Sequence, residues 1–299
     1  MASFIHHSEI RTSDWEELIQ NTPNATVFSA PFYWHAVAKD CYIYTDEQHS
    51  FAIPIGVSKK LGIETVYPPF FHRYTEILGD TSKFDKTNFE NELKKRFLVG
   101  VLNCKTSLLE NTPEKTHVYQ LLISETFKRK DQAKRMLKKA EKFDLKVSHT
   151  GEVEKLHLLV VELLSEKLPF YKSNEAERLE TLIHAAHKNE KLITLACYHN
   201  DQLVGGMFGI KYNGTMLYLK GACSTSATKN GGMYLLISTL IEESLAENLT
   251  FDFGGSRVEG VRHFNTRFNG KDQTYYEYAW NHAPFWFKLL QKIKRWIKK

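Results

Sequence analysis

A chain of 299 residues that is 42% apolar and 13% aromatic can bury one large core or two ordinary ones, and at ~100–200 residues per domain two domains are expected. The formal charge of +5 is gathered in the last fifteen residues, where Lys288, Lys292, Lys294, Arg295, Lys298 and Lys299 stand without an acid. The remainder carries about −1, which excludes a globally basic binder and makes any basic function local.

Four cysteines, Cys41, Cys104, Cys197 and Cys223, have neither a C-x-x-C partner nor histidines at zinc spacing, the pattern of free thiols in a reducing compartment. MASFIHHSEIRTSDW has no apolar stretch of signal-peptide length, and no run of ~18 apolar residues occurs anywhere, so a cytoplasmic protein is expected.

In chain order, residues 12–20 form the first expected helix, with Thr12 or Ser13 as cap and Trp15, Leu18 and Ile19 as its buried stripe. A second helix follows Pro31. The stretch 50–70 alternates apolar and polar positions, turns at 58–62 and stops at Pro68 and Pro69, which predicts a hairpin and a rigid loop. HVYQLLI, 117–123, is a short buried strand. The helix after it puts Ala133, Met136, Leu137, Ala140 and Phe143 on one face. Between Lys128 and Lys146, nine Lys or Arg stand against three acids, enough to attract phosphate or simply to solvate the outer face.

Two helices, 152–168 and 175–188, lead into KLITLACYHNDQLVGGMFGIKYNGTMLYLKGACS. Its turn signals, Asn200-Asp201 and Asn213-Gly214, predict three antiparallel strands. A helix with Met233, Leu236, Ile237, Leu240, Ile241 and Leu245 facing inward comes next, then an FDF strand at 251–253, a short helix and a strand at 274–280. Each half places helices before strands, as a duplicated α/β module would.

The candidate chemistry gathers around FDFGGSRVEGVRHFNTRFNG, 251–270. Gly254 and Gly255 allow a ligand to approach the backbone at a strand end, beside Ser256. Asp252, opposite in direction to its flanking phenylalanines, is placed to accept a proton, to orient an amine, or to serve as an ordinary loop hydrogen-bond partner. Phe264 and Phe268 bury together while Arg267 projects to meet a phosphate or carboxylate. Asn230, Gly231 and Gly232 open the helix after the meander, where free amides favour an anion; a plain Gly-Gly turn is the bland alternative. Tyr218, Lys220 and Ser224 end the third strand, either to line the same expected cleft or, for the first two, to serve as a packing tyrosine and a solvated lysine. No nucleophile has a matched base, as suits direct attack by an amine. His184 and His187 lie three apart and are read as surface residues, with no metal expected.

Four stretches, NATVFSAPFYWHAV, FAIPIGVSKKLGIETVYPPF, KRMLKKAEKFDLKV and FDFGGSRVEGVRHFNTRFNG, together with the element order, resemble the FemAB-like acyltransferases of the GNAT superfamily. The resemblance implies an α+β fold of two tandem GNAT-like modules, each a mixed, mostly antiparallel sheet flanked by helices. They would occupy 1–148 and 149–283, with the cleft in the second and a basic amphipathic tail at 284–299.

It also implies transfer of an acyl or aminoacyl group from acyl-CoA or aminoacyl-tRNA to an amine acceptor, such as a small molecule, a peptide or a cell-envelope precursor, with no permanently bound cofactor. Asp252, Tyr218 and Lys220 become the candidate catalytic residues. Gly254, Gly255, Ser256, Arg262, Arg267 and Ser224 would bind substrate, and Asn230, Gly231 and Gly232 the donor. The family commonly has Phe-Lys, two residues, then Phe-Gly; here Asn265 stands at the lysine position and Asn269 precedes Gly270, leaving Arg267 or Arg262 to supply the charge.

The competing reading is a catalytically silent binding protein for nucleic acid or an anionic membrane surface. The segment 284–299 carries apolar residues at Trp286, Leu289, Leu290, Ile293, Trp296 and Ile297, one helical face, with lysines largely on the other. That fits a peripheral contact at the inner face of an anionic membrane, or a terminal helix docked on the protein body.

Overall fold

The computed structural model describes residues 2–60, 62–167, 173–255 and 259–289. Its strands are β1 (Ser3–His6), β2 (Asp40–Thr45), β3 (Phe51–Lys60), β4 (Ile63–Val66), β5 (Leu78–Gly79), β6 (Val99–Cys104), β7 (Glu114–Leu122), β8 (Leu145–His149), β9 (Leu192–His199), β10 (Gln202–Tyr212), β11 (Thr215–Cys223), β12 (Thr250–Gly255) and β13 (Lys271–Asn281). Its helices are α1 (Thr12–Gln20), α2 (Pro31–Val37), α3 (Lys86–Arg96), α4 (Asp131–Lys142), α5 (Val153–Lys167), α6 (Ser173–Lys188), α7 (Thr225–Lys229), α8 (Gly232–Ala246) and α9 (Glu259–Asn265). Mixed, mostly antiparallel sheets flanked by helices make this the expected α+β architecture.

Two compact units emerge. The first comprises Met1–Pro23, Ala38–His117 and Tyr275–Lys299, and the second Asn24–Val37 and Val118–Thr274. Neither is a continuous stretch, so the boundary expected at 148/149 falls inside the second unit.

In the first unit β1, β2, β3 and β4 pair antiparallel in turn, β4 pairs parallel with β6, and β6 pairs antiparallel with β13. Its core is aromatic. Phe4, Tyr44 and Phe89 meet at centroid distances of 4.9–6.0 Å, and each buried ring contributes ~1.5–3 kcal/mol through the area it removes from water.

In the second unit β8, β9, β10 and β11 pair antiparallel in turn, β11 pairs parallel with β12, and β12 pairs antiparallel with β7. The order repeats that of the first unit. In both, the sixth strand comes from another part of the chain: β7 follows β6 but pairs with β12, and β13 follows β12 but pairs with β6.

Local chemistry explains the meander. Asn200 and Asp201 (φ 49° and 59°) and Asn213 and Gly214 (φ 41° and 72°) take the positive φ that two-residue hairpin turns require. From α8, Leu236, Ile237, Leu240 and Ile241 are buried against Leu195, Met207, Met216 and Phe251. The helix at 12–20 buries Trp15, Leu18 and Ile19 as its periodicity predicts, but its cap position is Arg11, without a side-chain cap bond. All four cysteines are buried, and none of them forms a disulfide among the described residues.

Candidate active site

The residues expected to line a cleft gather where β11 and β12 stop pairing. Their parallel ladder holds Thr215, Met216 and Leu217 against Thr250, Phe251 and Asp252, and no further pair follows among the described residues. Beyond it both strands turn irregular. On β11, Tyr218 faces Gly209 and Lys220 faces Phe208, leaving Leu219 as an extra, bulged residue. On β12, Gly254 adopts φ +76°, and its pairing with β7 shifts register between Asp252 and Gly255. A Cβ on Gly254 would stand 2.8 Å from the Tyr218 carbonyl oxygen, so glycine is what lets the two strands run side by side here.

The bulge sorts the candidate residues between the two faces of the sheet, because directly opposed residues share a face. Tyr218 lies with Met216, Phe251 and Phe253 on the side packed against α8. Burial raises the Tyr218 hydroxyl above its ordinary range, so it stays protonated. Lys220, paired with Phe208, points to the opposite face, and burial lowers its ammonium pKa.

Asp252 is on that opposite face as well, paired with Leu217 and 3% exposed, and its Oδ1 accepts the Gly254 N–H at 2.9 Å. It lines a narrow recess with Thr26, Phe28, Ile210, Tyr212 and Leu217. Thr26 and Phe28 come from the segment 24–37, and Asn213 Nδ2 donates to the Ala25 carbonyl at 2.8 Å within the same unit.

A second, shallow recess is lined by Gly254, Arg262 and Asn265 together with Tyr119 and Gln120 of β7. Arg262 pairs with Asp272, and Gln120 Nε2 donates to the other oxygen of that carboxylate at 3.1 Å. Asn265, at the family's lysine position, is 4% exposed and points no charge into the recess. Arg267 lines neither recess. Its guanidinium bonds His263 and its carbonyl accepts the Lys130 N–H at 2.8 Å. Phe264 and Phe268 pack together as expected, at 5.6 Å, around Tyr234.

The remaining candidates have local structural duties. Ser224 caps α7, accepting the Ala227 N–H at 3.2 Å. Asn230 Nδ2 donates to the Ser226 carbonyl at 3.0 Å. Gly231 has φ +94°, and a Cβ there would lie 2.3 Å from the Met136 carbonyl oxygen, so close packing of α4 on α8 accounts for it. Gly232 is buried, with Cys223 Sγ and the Ala227 carbonyl 3.1 Å from its Cβ position. Gly255 is exposed at the end of β12, and Ser256 lies outside the described residues. Folding brings Glu154 to 3.0 Å from His184, with Glu180 beside them, as an exposed cluster on α5 and α6.

Sequence reading missed Thr26, Phe28, Tyr212, Tyr119, Gln120 and Asp272. Asp272 lies outside the strand expected at 274–280, and nothing local marks 24–37 as part of the second unit.

Residues 127–265, all within the second unit, match the family model described as Acetyltransferase (GNAT) domain. No curated protein matches the chain. Among solved structures, FemX shares the fold with a TM-score of 0.62 at 11% identity, over 99% of this chain and 100% of that one. The C-terminal domain (DUF2156) of a putative lysylphosphatidylglycerol synthetase from Agrobacterium fabrum gives 0.62 at 10% identity, over 94% of each chain. A tandem GNAT protein from the clavulanic acid biosynthesis pathway gives 0.55 at 11% identity, over 95% of this chain and 99% of that one. Residues 127–265 thus form a GNAT acetyltransferase domain, and the chain shares the fold of FemX and of a tandem GNAT protein over nearly its whole length.

Proposed function

We propose that this protein is an N-acyltransferase that moves an acyl or aminoacyl group from a CoA thioester or an aminoacyl-tRNA to an amine acceptor, at the end of the β11–β12 ladder. The observation that carries the reading is the ladder itself, which stops at Leu217 and Asp252 with a buried carboxylate at the last paired position. Candidate groups then lie on both faces of the sheet at the place where the strands cease to pair.

In this reading the amine nitrogen attacks the donor carbonyl carbon, the bond from that carbon to sulfur or ester oxygen breaks, and the proton lost by the amine ends on the departing sulfur or oxygen, which leaves as a thiol or an alcohol. Asp252 orients the amine from its recess and, with no nucleophile to regenerate, needs only to hold it in line. Tyr218, kept protonated by burial, donates a hydrogen bond from its hydroxyl to the leaving sulfur or oxygen from the α8 side. Arg262, held by Asp272, gives the second recess its cation in place of a lysine at 265. The exposed cations of α4, Lys134, Arg135 and Lys138 among them, suit the phosphates that either donor carries. A cell-envelope precursor is the acceptor that the resemblance of the four sequence stretches implies.

Mass spectrometry of CoA derivatives and RNA copurifying with the native protein identifies the donor, and acyl transfer is then measured with the parent and Asp252→Asn. Loss of about two decades in kcat/KM with unchanged melting is expected for a positioning carboxylate. Equal turnover by both proteins would remove Asp252 from the site, and no turnover by either with any copurified donor would favour the silent binding protein.

A further inference from the structure

The residues 284–289 take no part in the site described above, yet Phe285 is the most exposed aromatic side chain among the described residues. A helical turn starts after Pro284, whose carbonyl accepts the N–H groups of Phe287 and Lys288 at 3.1 and 3.2 Å. At ~100° per residue, Phe285, Trp286 and Leu289 fall on one side of that turn and Phe287 on the other. Phe287 is 1% exposed and anchors the turn. Phe285, Trp286 and Leu289 are 80%, 49% and 46% exposed, so the described part of the apolar face is turned to solvent and not docked on the protein.

The sequence that follows, outside the described residues, keeps the same spacing at Leu290, Ile293, Trp296 and Ile297. From Lys288 onward it carries six cations and no acid. Large apolar groups held in water beside a block of one charge call for a partner that is apolar and anionic together.

We propose that residues 284–299 bind the surface of an anionic lipid membrane, with Phe285, Trp286 and Leu289 at the headgroup–acyl boundary and the lysines and arginine on the headgroup charges. A nucleic acid would match the cations but leave the Phe285–Trp286 face in water. A membrane satisfies both.

The test is co-sedimentation of the full chain with vesicles of phosphatidylcholine alone and of phosphatidylcholine with phosphatidylglycerol, at low and at physiological salt. It is run beside the double variant Phe285→Ser/Trp286→Ser, which keeps the buried Phe287. Binding to the anionic vesicles only, weakened by salt and reduced about tenfold or more in the double variant with unchanged circular dichroism, is the expected result. No binding to anionic vesicles at low salt overturns the proposal. So does equal binding by parent and double variant, and so does tighter binding to duplex DNA than to the anionic vesicles. If the double variant proves unfolded, Lys288→Glu/Lys292→Glu replaces it. An unchanged affinity in that protein is equally decisive against a membrane contact.

Discussion

At Gly254 the backbone conformation and the neighbouring carbonyl make the same demand. A side chain there has to live at φ +76° and 2.8 Å from the Tyr218 oxygen, so Gly254→Ala is expected to cost about 1–3 kcal/mol, read as a lower urea midpoint at unchanged m. A midpoint equal to the parent's would show that β12 relaxes away from β11 without penalty. Asp252 illustrates how far a local pattern reaches. The alternation Phe-Asp-Phe places its side chain opposite the two phenylalanines, and it is there; that this opposite face is closed by Thr26 and Phe28 is not written anywhere near residue 252. Tyr218 and Lys220 show the reverse case. Two residues apart on a regular strand they share a face, and only the bulge at Leu219 separates them.

Among the elements, α3 is tied down by one carboxylate. Glu90, 1% exposed, takes the Lys94 ammonium at 2.5 Å, the Glu110 and Asn111 N–H groups at 2.7 and 2.9 Å, and the Thr112 hydroxyl at 2.7 Å. Burial pushes its pKa upward, but Lys94 and these donors prevail and hold it at about 2. Because the folded value lies below the ~4.3 of an unfolded glutamate, the stabilisation is complete above that pH and is lost as pH falls from there to about 2. Glu90→Gln should therefore cost about 1.5–3 kcal/mol at neutral pH, and the gap to the parent should narrow in acid melts. A gap that stays constant from pH 7 to pH 2.5 would mean the charge is irrelevant and only shape matters. On α8, glycine serves helix packing, since Met136 of α4 leaves no room for a Cβ at Gly231.

Over the whole molecule, the exchange of sixth strands ties folding to distant parts of the chain. The second unit needs 24–37, whose α2 packs on α6, and the first needs β13, whose Trp280 Nε1 donates to the Phe97 carbonyl at 2.7 Å. A fragment of residues 149–283, the sequential second half, lacks β7, β8, α4 and α2, and is expected to show no cooperative thermal transition by circular dichroism. A sharp transition close to that of the full chain would make those four elements dispensable.

Periodicity and turn chemistry determined the elements: the stripe of α1, the hairpin turns with positive φ at Asn200, Asp201 and Asn213, the inward face of α8, and the α+β class all follow from interactions within a few residues. The family resemblance rested on motifs of the same short range. Strand exchange, the bulge at Leu219, the recess closed by Thr26 and Phe28, and the Arg262–Asp272 pair were decided only by tertiary structure. Each joins residues whose contact free energy is realised after distant segments are brought together, and no local preference in the chain encodes which segments those are.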